Sequence, residues 1–347
     1  MKAIDRSVFY DSDTPLGDVV LSSRVRLARN ITGYPFVNRA APDQLTEVMH
    51  RVQSSQLGSV FEHGTRWVNL QSSDVSDRGM LFERNLISKP FSEGTHPRCV
   101  ALSADGCASI MVNEEDHLRA QIYAGGFKLH ALVGSMTQLD RSLERSLEFA
   151  FHPRFGYLTA CPTNLGTGIR MSVMLHLPAL RILDELEKMR RAAKELKLAV
   201  RGLHGEGSDA HAELFQISNQ ITLGRSEEDL LEEFAGVIVP RFVEYERQAR
   251  QRMLETDALE TTDRAHRALG VLRSARILTL EAAFKYLSRL RVGVALGIID
   301  SVAMSTVNRL LLEVQPAHLA RIRSIPASAA DDDRAARATH VRATLDA

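Results

Sequence analysis

The sequence predicts an α+β protein in which an antiparallel-sheet domain, residues 1–250, precedes a smaller helical domain, residues 251–347. Three patterns support this prediction. Apolar runs of strand length flank turn residues in segments 99–113 and 198–223, as expected of antiparallel strands. Residues 226–315, by contrast, have an almost continuous helical pattern. Strands followed by a run of helices are typical of α+β proteins.

The first half of the chain contains a predicted hairpin and two predicted helices. Residues 99–113, CVALSADGCASIMVN, predict two strands joined by an Ala-Asp-Gly turn. Leucines recur every fourth residue in segment 136–150, which predicts an amphipathic helix that packs on the sheet. Residues 171–197 also have a helical pattern, which Pro178 should end or kink.

Further along, strands are predicted at residues 198–203 and 214–223, with the glycine-bearing loop GLHGEGSDA between them. That loop is long enough to move. Ser226 can cap a helix whose first turn is acidic, and helices continue from there to about residue 315. Residues 324–347 are rich in Ala, Asp and Arg and are expected to form a frayed helix or to be partly disordered.

The composition excludes several classes of function. Lys and Arg together number 43, as do Asp and Glu, so no basic excess directs the chain to nucleic acid or to an anionic membrane surface. No apolar run is long enough for a secretory signal or a membrane span, so we expect a cytoplasmic protein. Cys99, Cys107 and Cys161 are too few and too irregularly spaced for a disulfide framework or a four-ligand zinc site. The twelve histidines show no metal-ligand spacing such as HExxH, so no protein-held metal is predicted.

Four separated segments place arginine beside groups that suit phosphate. The segments are SSRVR (22–26), NEEDHLR (113–119), CPTNLGTGIR (161–170) and RGLHGE (201–206). Arginine is always charged, and its planar fork of donors matches phosphate oxygens. A lone arginine is more often a solvated or salt-bridging residue. Five in such contexts predict a phosphoryl-transfer site, and these are Arg24, Arg26, Arg119, Arg170 and Arg201.

These segments resemble the phosphagen (guanidino) kinase superfamily, and within it the bacterial protein-arginine kinases. NEEDHLR and CPTNLGTGIR stand almost letter for letter as in the superfamily, whereas SSRVRLARN (22–30) and residues 157–180 are similar to the protein-arginine kinase branch. The similarity is strong over about residues 18–250 and looser in the helical tail. It implies a phosphagen-kinase-type catalytic domain that moves a phosphoryl group from ATP to a guanidino group.

The resemblance also implies how ATP is held. The five arginines would bind its phosphates, and Mg²⁺ would accompany the nucleotide and neutralise its β and γ oxygens. Neighbouring positions in the same segments are expected to contribute to the nucleotide site. They are Ser22, Ser23, Val25, Met171, Ser172, Val173, Met174, Gly202, Leu203, His204 and Gly205.

Three further residues match catalytic positions of the superfamily. A guanidinium is a poor nucleophile, so transfer to it needs carboxylates that orient it and take up a proton. Glu115 and Glu206 match the two catalytic glutamates, and the alternative reading of Glu115 is an ordinary solvated acidic turn. Cys161 matches a reactive cysteine near the substrate guanidinium, although a free cysteine is more often a small buried hydrophobe. Glu114 and Asp116 are weaker candidates for holding arginines or magnesium.

The branch resemblance favours arginine side chains of proteins as acceptors. Small-guanidine kinases have a helical domain ahead of the SxRxR strand, whereas 21 residues precede Ser22 here, which predicts an open site. The partners implied are proteins with exposed arginine, a zinc-finger activator protein, a Clp-type protease system and a second copy of the chain, bound through the helical domain. Two alternatives stay open: a kinase of free arginine or another small guanidino compound, and a non-catalytic regulator that binds nucleotide or phosphoarginine.

One segment departs from the branch. An RDxxRA motif there binds phosphoarginine allosterically, whereas the nearest text here is ADDDRA at residues 330–335, with Ala330 in place of the first arginine. Loss of one charge-assisted contact to phosphate predicts that free phosphoarginine stimulates this protein weakly or not at all.

Overall fold

The computed structural model describes residues 14–55, 61, 64–202, 211–323 and 333–346. Within these residues, eight antiparallel strands form one sheet, in the order β2-β3-β4-β5-β1-β8-β10-β9. The strands are β1 (Val20–Arg29), β2 (Thr65–Asn69), β3 (Cys99–Ser103), β4 (Ala108–Val112), β5 (Leu118–Gly125), β8 (Ile169–His176), β9 (Leu198–Gly202) and β10 (Leu214–Asn219). A separate short hairpin consists of β6 (Phe151–His152) and β7 (Gly156–Tyr157). The predicted α+β class is confirmed.

Helices follow the strands in the second half of the chain and also pack on both faces of the sheet. Those before residue 200 are α1 (Pro42–Ser54), α2 (Val75–Glu83), α3 (Lys89–Glu93), α4 (Leu129–Glu144), α5 (Pro178–Ile182) and α6 (Leu186–Glu195). Those after it are α7 (Glu227–Glu233), α8 (Val239–Ser274), α9 (Leu280–Ala295), α10 (Met304–Glu313), α11 (Pro316–Arg323) and α12 (Arg334–Leu345). A π-helical turn, Phe234–Ile238, links α7 to α8.

The predicted hairpin is confirmed as β3 and β4, and Cys107 lies in its turn and not in a strand. The predicted cap is also confirmed, because the Ser226 hydroxyl accepts a hydrogen bond from the Asp229 backbone at the start of α7. The helix predicted for residues 136–150 is α4, which begins earlier, at Leu129, and ends at Glu144. The strand predicted for residues 214–223 ends at Asn219.

The helix predicted from residue 171 is wrong. Residues Ile169–His176 form β8, which lies between β1 and β10, and helices start only at Pro178. Seven of its eight residues are buried because both faces of this central strand are covered. When nearly all residues of a short segment are buried, its sequence pattern does not separate a buried strand from a buried helix.

The two faces of the sheet have different environments. One face belongs to the main hydrophobic core, where α4 packs on β1 and β5 and alternate strand residues such as Val25 and Val173 are buried. The opposite face is covered at one side by α2 and α3, and at the other by the C-terminal helices, which enclose Met174 and Leu214. Polar and charged side chains line the stretch between these two covers.

A buried arginine joins the C-terminal helices to the sheet. Arg291 of α9 donates to the backbone carbonyls of Gly17 and Asp18, each at 2.9 Å, and to Asn308 Oδ1 at 3.0 Å. It also donates to Nδ1 of His176 on β8 at 3.0 Å. Burial lowers the pKa of Arg291 to about 9. Its charge is therefore accommodated by oxygen and nitrogen acceptors drawn mostly from the sheet half of the chain.

Candidate functional site

The alternation of β-strand side chains places the arginines on one face of the sheet. Val25 and Leu27 point into the core. Arg24 and Arg26 alternate with them along β1 and therefore point to the opposite face. Arg119 on β5, Arg170 on β8 and Arg201 on β9 face the same way and line a cavity of about 890 Å³ with them. We call this space the arginine cavity. All five arginines predicted from the sequence are brought together there.

Arg26 is the most confined of these cations. Its side chain is 6% exposed, and its Nε and Nη2 atoms have no hydrogen-bond partner among the described residues. Burial, together with the charges of Arg24, Arg119 and Arg170, holds the pKa of Arg26 well below its usual range. Arg170 is affected similarly, since burial and the charges of Arg201, Arg119 and Arg24 lower its pKa to about 10. The cavity is therefore a site of concentrated positive charge that an anion would stabilise.

Arg24 is held by neutral neighbours. Its Nη1 donates to the hydroxyl oxygen of Tyr123 at 2.5 Å, and its Nη2 donates to Gln216 Oε1. Its Nε lies 3.4 Å from Ser172 Oγ. These contacts fix the direction of the guanidinium without neutralising its charge, which leaves that charge available to a ligand.

Arg119 has a carboxylate partner. Its Nη1 donates to both oxygens of Glu114 at 2.8 Å, and Ser88 donates to the same carboxylate at 2.5 Å. Burial alone would raise the pKa of Glu114, but Arg119 and the hydrogen bonds bring it below its ordinary value. Glu114 is thus an anion that orients Arg119, as the sequence suggested for one of the two weaker acidic candidates.

Glu115 projects differently from its neighbours. It is exposed and lines the arginine cavity, and its carboxylate makes no hydrogen bond or ion pair with any residue that the structure describes. Asp116 is buried and accepts hydrogen bonds from Asn30 Nδ2 at 2.6 Å and from the Ala160 backbone at 2.7 Å. Burial raises the pKa of Asp116 to about 6. Of the three acidic residues, only Glu115 has a carboxylate that a ligand in the cavity could engage directly.

His117 has a structural environment. Its Nδ1 accepts from the Ile31 backbone at 3.0 Å, so its Nε2 donates to the carbonyl of Pro35 at 2.9 Å. Both ring nitrogens are used within the protein, so His117 has a structural role.

Cys161, the predicted reactive thiol, lies on the wall of the arginine cavity. Its Sγ is 3.0 Å from Thr163 Oγ1, and its charge acts on the pKa of Arg170 in the direction opposite to that of the arginines. Cys99 is fully buried, and burial raises its pKa to about 12. Burial raises the pKa of Cys107 to about 11. Among the three thiols, Cys161 alone lines the arginine cavity.

Two glycines fix the course of the Cys161 segment. Gly168 has φ +69°, and a Cβ there would lie 2.7 Å from the carbonyl oxygen of Ala28 on β1. Gly166 has φ +109°, and a Cβ there would lie 2.7 Å from the carbonyl oxygen of Thr222. The Thr222 hydroxyl in turn donates to the carbonyl of Leu165 at 2.7 Å. This close backbone packing requires glycine and holds the segment against the sheet.

The remaining predicted nucleotide-binding positions fall into three groups. Ser22 and Ser172 are on the cavity side of the sheet, while the Ser23 hydroxyl donates to the Gly126 carbonyl at 2.8 Å. The core-facing or helix-covered side chains could offer a nucleotide only their backbone, and these are Val25, Met171, Val173 and Met174. Gly202 ends β9. Leu203, His204, Gly205 and the predicted catalytic Glu206 lie outside the described residues.

Part of the cavity wall was not predicted from the sequence. The segment between α2 and α3 contributes Asn85 and Ser88, and β10 contributes Gln216. Gln216 and Tyr123 of β5 hold Arg24. The register would have located Tyr123, because it pairs with Arg24 across β1 and β5. No group of three or more potential metal-ligating side chains occurs in the part of the chain that the structure describes. In the same part, every helix is too short or too polar to cross a bilayer.

Two family models match the chain. Residues 47–249 match the model for the C-terminal catalytic domain of ATP:guanido phosphotransferases, and residues 258–347 match the model for the C-terminal domain of the protein-arginine kinase McsB. The second match starts within α8, next to Asp257, whose φ of −152° and ψ of 66° interrupt that helix.

Relatives that align with most of the chain are protein-arginine kinases too. The chain is 42% identical over 307 residues to a protein-arginine kinase from Clostridium novyi, an alignment that covers 87% of this chain and 88% of that protein. It is 39% identical over 341 residues to a protein-arginine kinase from Halalkalibacterium halodurans, with coverage of 98% and 95%.

Solved structures are similar as well. The duplicated taurocyamine kinase from Schistosoma mansoni with bound transition-state-analogue components matches with a TM-score of 0.63 and 26% identity, over 68% of this chain and 34% of that one. Lombricine kinase matches with a TM-score of 0.58 and 23% identity over 68% of each chain, which shows a shared fold.

Proposed function

Since this chain belongs to the protein-arginine kinase family of ATP:guanido phosphotransferases, we propose that it transfers the γ-phosphoryl group of ATP to arginine side chains of proteins. The sequence relationship supports the reaction and the acceptor class. The arginine cavity supports the binding of a highly charged phosphate donor.

The observation that carries the proposal is the buried guanidinium of Arg26, whose Nε and Nη2 atoms have no hydrogen-bond partner in the described part of the chain. A buried cation without a counterion is costly, and its cost is offset if an anionic ligand occupies the cavity. Three more arginines, Arg24, Arg119 and Arg170, contribute to the electrostatic environment of Arg26. A triphosphate is the ligand of matching charge that the family's reaction uses. Preorganised cations of this kind stabilise charge that develops on a migrating phosphoryl group.

We assign the acceptor side of the reaction to Glu115. A nitrogen of the substrate guanidinium attacks the γ-phosphorus, the bond from phosphorus to the bridging β–γ oxygen breaks, and ADP leaves. The attacking nitrogen loses one proton, and Glu115, whose carboxylate lines the cavity and has no partner among the described residues, can accept it. The same carboxylate orients the guanidinium before transfer, because arginine forks bind carboxylates in a planar arrangement.

Cys161 and Glu206 complete the proposed acceptor site. Cys161 is supported by its place on the cavity wall, which it shares with Arg170. A thiolate there would attract the positively charged acceptor. Glu206 is supported by its match to the second catalytic glutamate of the superfamily and lies outside the described residues. We propose that both glutamates clasp the acceptor.

Mg²⁺ is proposed to arrive with ATP as part of the substrate. The described residues contain no metal-ligating cluster, so the phosphates themselves would supply most of the ligands. When bound, the ion neutralises charge on the β and γ oxygens.

The branch relationship supports several further proposals. They are a cytoplasmic location, a role in protein quality control or stress regulation, a zinc-finger activator, a Clp-type protease system that reads the mark, and a homodimer through the helical domain. We also propose the division into residues 1–250 and 251–347, which agrees with where the two family models end and begin.

The test supplies the purified protein with ATP and one of three acceptors. These are an unfolded arginine-containing protein, the same protein with every arginine replaced by lysine, and free arginine. We expect acid-labile phosphate on arginines of the first acceptor, located by mass spectrometry, and little transfer to the other two. Preferred transfer to free arginine would identify a small-guanidine kinase. Nucleotide binding without transfer to any acceptor would identify a non-catalytic regulator.

A further inference from the structure

A buried carboxylate connects the helical C-terminal region to the sheet half of the chain. Glu83, the last residue of α2, accepts hydrogen bonds from the backbone nitrogens of Ala317 and His318 at 2.6 and 2.9 Å. These nitrogens belong to the first turn of α11, where a helix has unsatisfied donors and a partial positive charge. Glu83 therefore caps a helix that is more than 200 residues away in the chain.

Both ring nitrogens of His318 are bound, one by Glu83 and the other by Arg84. Nδ1 of His318 lies 2.6 Å from Glu83 Oε2, and Nε of Arg84 donates to Nε2 at 3.0 Å. Arginine can only donate, so Nε2 accepts and Nδ1 donates to Glu83. His318 is 4% exposed and Glu83 is 6% exposed. Two consecutive residues of the sheet half are thus fixed by a single side chain of α11.

The next residue along the chain reaches the arginine cavity. Asn85 has φ +56°, a left-handed conformation that asparagine tolerates better than most residues. Its carbonyl oxygen accepts from the Tyr123 hydroxyl at 2.6 Å and from Gln121 Nε2 at 2.9 Å. The Tyr123 hydroxyl oxygen in turn accepts from Arg24 Nη1 at 2.5 Å. The direction of the Tyr123 hydroxyl, and with it that of Arg24, depends on where the carbonyl of Asn85 lies.

We propose that His318 is a positioning residue for Arg24: by fixing Glu83 and Arg84 it sets the Asn85 carbonyl, which orients Tyr123 and, through it, the guanidinium that binds phosphate. The inference rests on the proposed function, since it assigns Arg24 to ATP. It makes the helical region a part of the nucleotide site although none of its side chains lines the arginine cavity among the described residues.

The first test compares two alanine variants of the helical region. His318→Ala removes the ring that Glu83 and Arg84 bind, while His340→Ala is the matched control, because it removes a hydrogen bond with Glu313 at 2.9 Å inside the helical region. We expect His318→Ala to raise the KM for ATP and the dissociation constant of a fluorescent ATP analogue by roughly threefold to tenfold, the scale of one hydrogen bond. The KM for the protein acceptor should stay unchanged, and His340→Ala should keep both ATP constants.

A double-mutant cycle then tests the route of the effect. Tyr123→Phe removes the hydroxyl that joins Asn85 to Arg24, so the double variant Tyr123→Phe, His318→Ala should bind ATP no worse than Tyr123→Phe alone. Circular dichroism at the assay temperature verifies that every variant is folded. His318→Gln serves as a second substitution should the alanine variant unfold.

Two outcomes would overturn the inference. The first is an ATP affinity of the His318 variants equal to that of the wild type. The second is a double variant in which the two substitutions act independently, so that their fold-changes in the dissociation constant of ATP multiply. Both can be read from nucleotide binding alone. They are therefore distinct from failure of the proposed function, which would appear as a wild-type protein that binds ATP but phosphorylates no arginine.

Discussion

Arg26 and Arg170 are directly opposed on neighbouring strands, as a cross-strand pair of β1 and β8. Like charges in this position destabilise a sheet, and here both side chains are withdrawn from water as well. The ligand-free fold therefore contains a repulsive pair at its centre. A bound polyphosphate would convert that repulsion into attraction.

Replacing Arg26 should separate activity from stability. We expect Arg26→Gln to lower kcat/KM by at least about a hundredfold, since a charge that stabilises the transition state is lost. The free energy of unfolding without ligand should stay equal or increase, because a buried cation without a partner is removed. Kinetics and urea denaturation measure the two effects.

Arg29→Gln is the matched control for that experiment. Arg29 lies three residues further along β1, but its guanidinium forms a buried ion pair with Asp140 at 2.6 Å. Breaking this pair should lower the free energy of unfolding by about 3 kcal/mol. A strongly destabilised Arg26→Gln variant with intact kcat/KM would show that Arg26 is a structural residue.

Neighbouring glutamates are expected to have different functions. Glu115→Gln should leave the dissociation constant of ATP nearly unchanged and reduce kcat by about a hundredfold, the scale of a positioned acid–base group. Glu114→Gln should instead weaken ATP binding, because Glu114 orients Arg119. Isothermal titration and single-turnover kinetics distinguish the two variants. Full activity of Glu115→Gln would exclude it as the proton acceptor.

Cys161 should be the thiol that substrates protect. Alkylation with iodoacetamide should modify Cys161 before Cys99 and Cys107, whose pKa values are raised by burial to about 12 and about 11. ATP with an acceptor should slow modification of Cys161, as followed by peptide mass spectrometry. Cys161→Ser should reduce kcat without abolishing it. An alkylation rate that substrates do not alter would remove Cys161 from the site.

Asp116 should leave a signature in the pH dependence of stability. Burial raises its pKa from 3.8 to about 6, so the folded state favours the protonated form. The stability contributed by this group is fully present below pH 3.8 and is lost as the pH rises through 6. Asp116→Asn keeps an oxygen acceptor for Asn30 and Ala160 but cannot ionise. Between pH 4 and 7 the variant should therefore gain about 1 to 3 kcal/mol relative to the wild type in urea denaturation. A difference independent of pH would contradict the raised pKa.

Local sequence patterns predicted the elements whose signals are local. The hairpin around Cys107 and the capped start of α7 at Ser226 were predicted because turn and cap chemistry involve residues a few positions apart. The strand β8 was not, since its burial on both faces depends on neighbours that the chain supplies from elsewhere. The five cavity arginines were found from their motifs, and the alternation of strand side chains brings them to one face.

The supporting side chains of the site could not be found in the same way. Tyr123 and Gln216 hold Arg24 from strands β5 and β10, and neither stands in a motif that indicates phosphate. Their roles depend on cross-strand register, which a single sequence fixes only weakly. Glu83 and His318 are further apart still, and only the packing of α2 on α11 brings them together.

The contacts of Arg291 bear on how the chain loses its structure. Its guanidinium is satisfied by carbonyls of Gly17 and Asp18 and by His176, all in the sheet half, although the residue itself belongs to α9. Melting the sheet half alone would leave this buried charge with Asn308 as its acceptor, at a cost of several kcal/mol. The intact chain should therefore denature as one cooperative unit. The helices beyond residue 250, if separated from the sheet, would keep a buried arginine that has lost most of its acceptors, and their own packing would have to offset that free-energy cost.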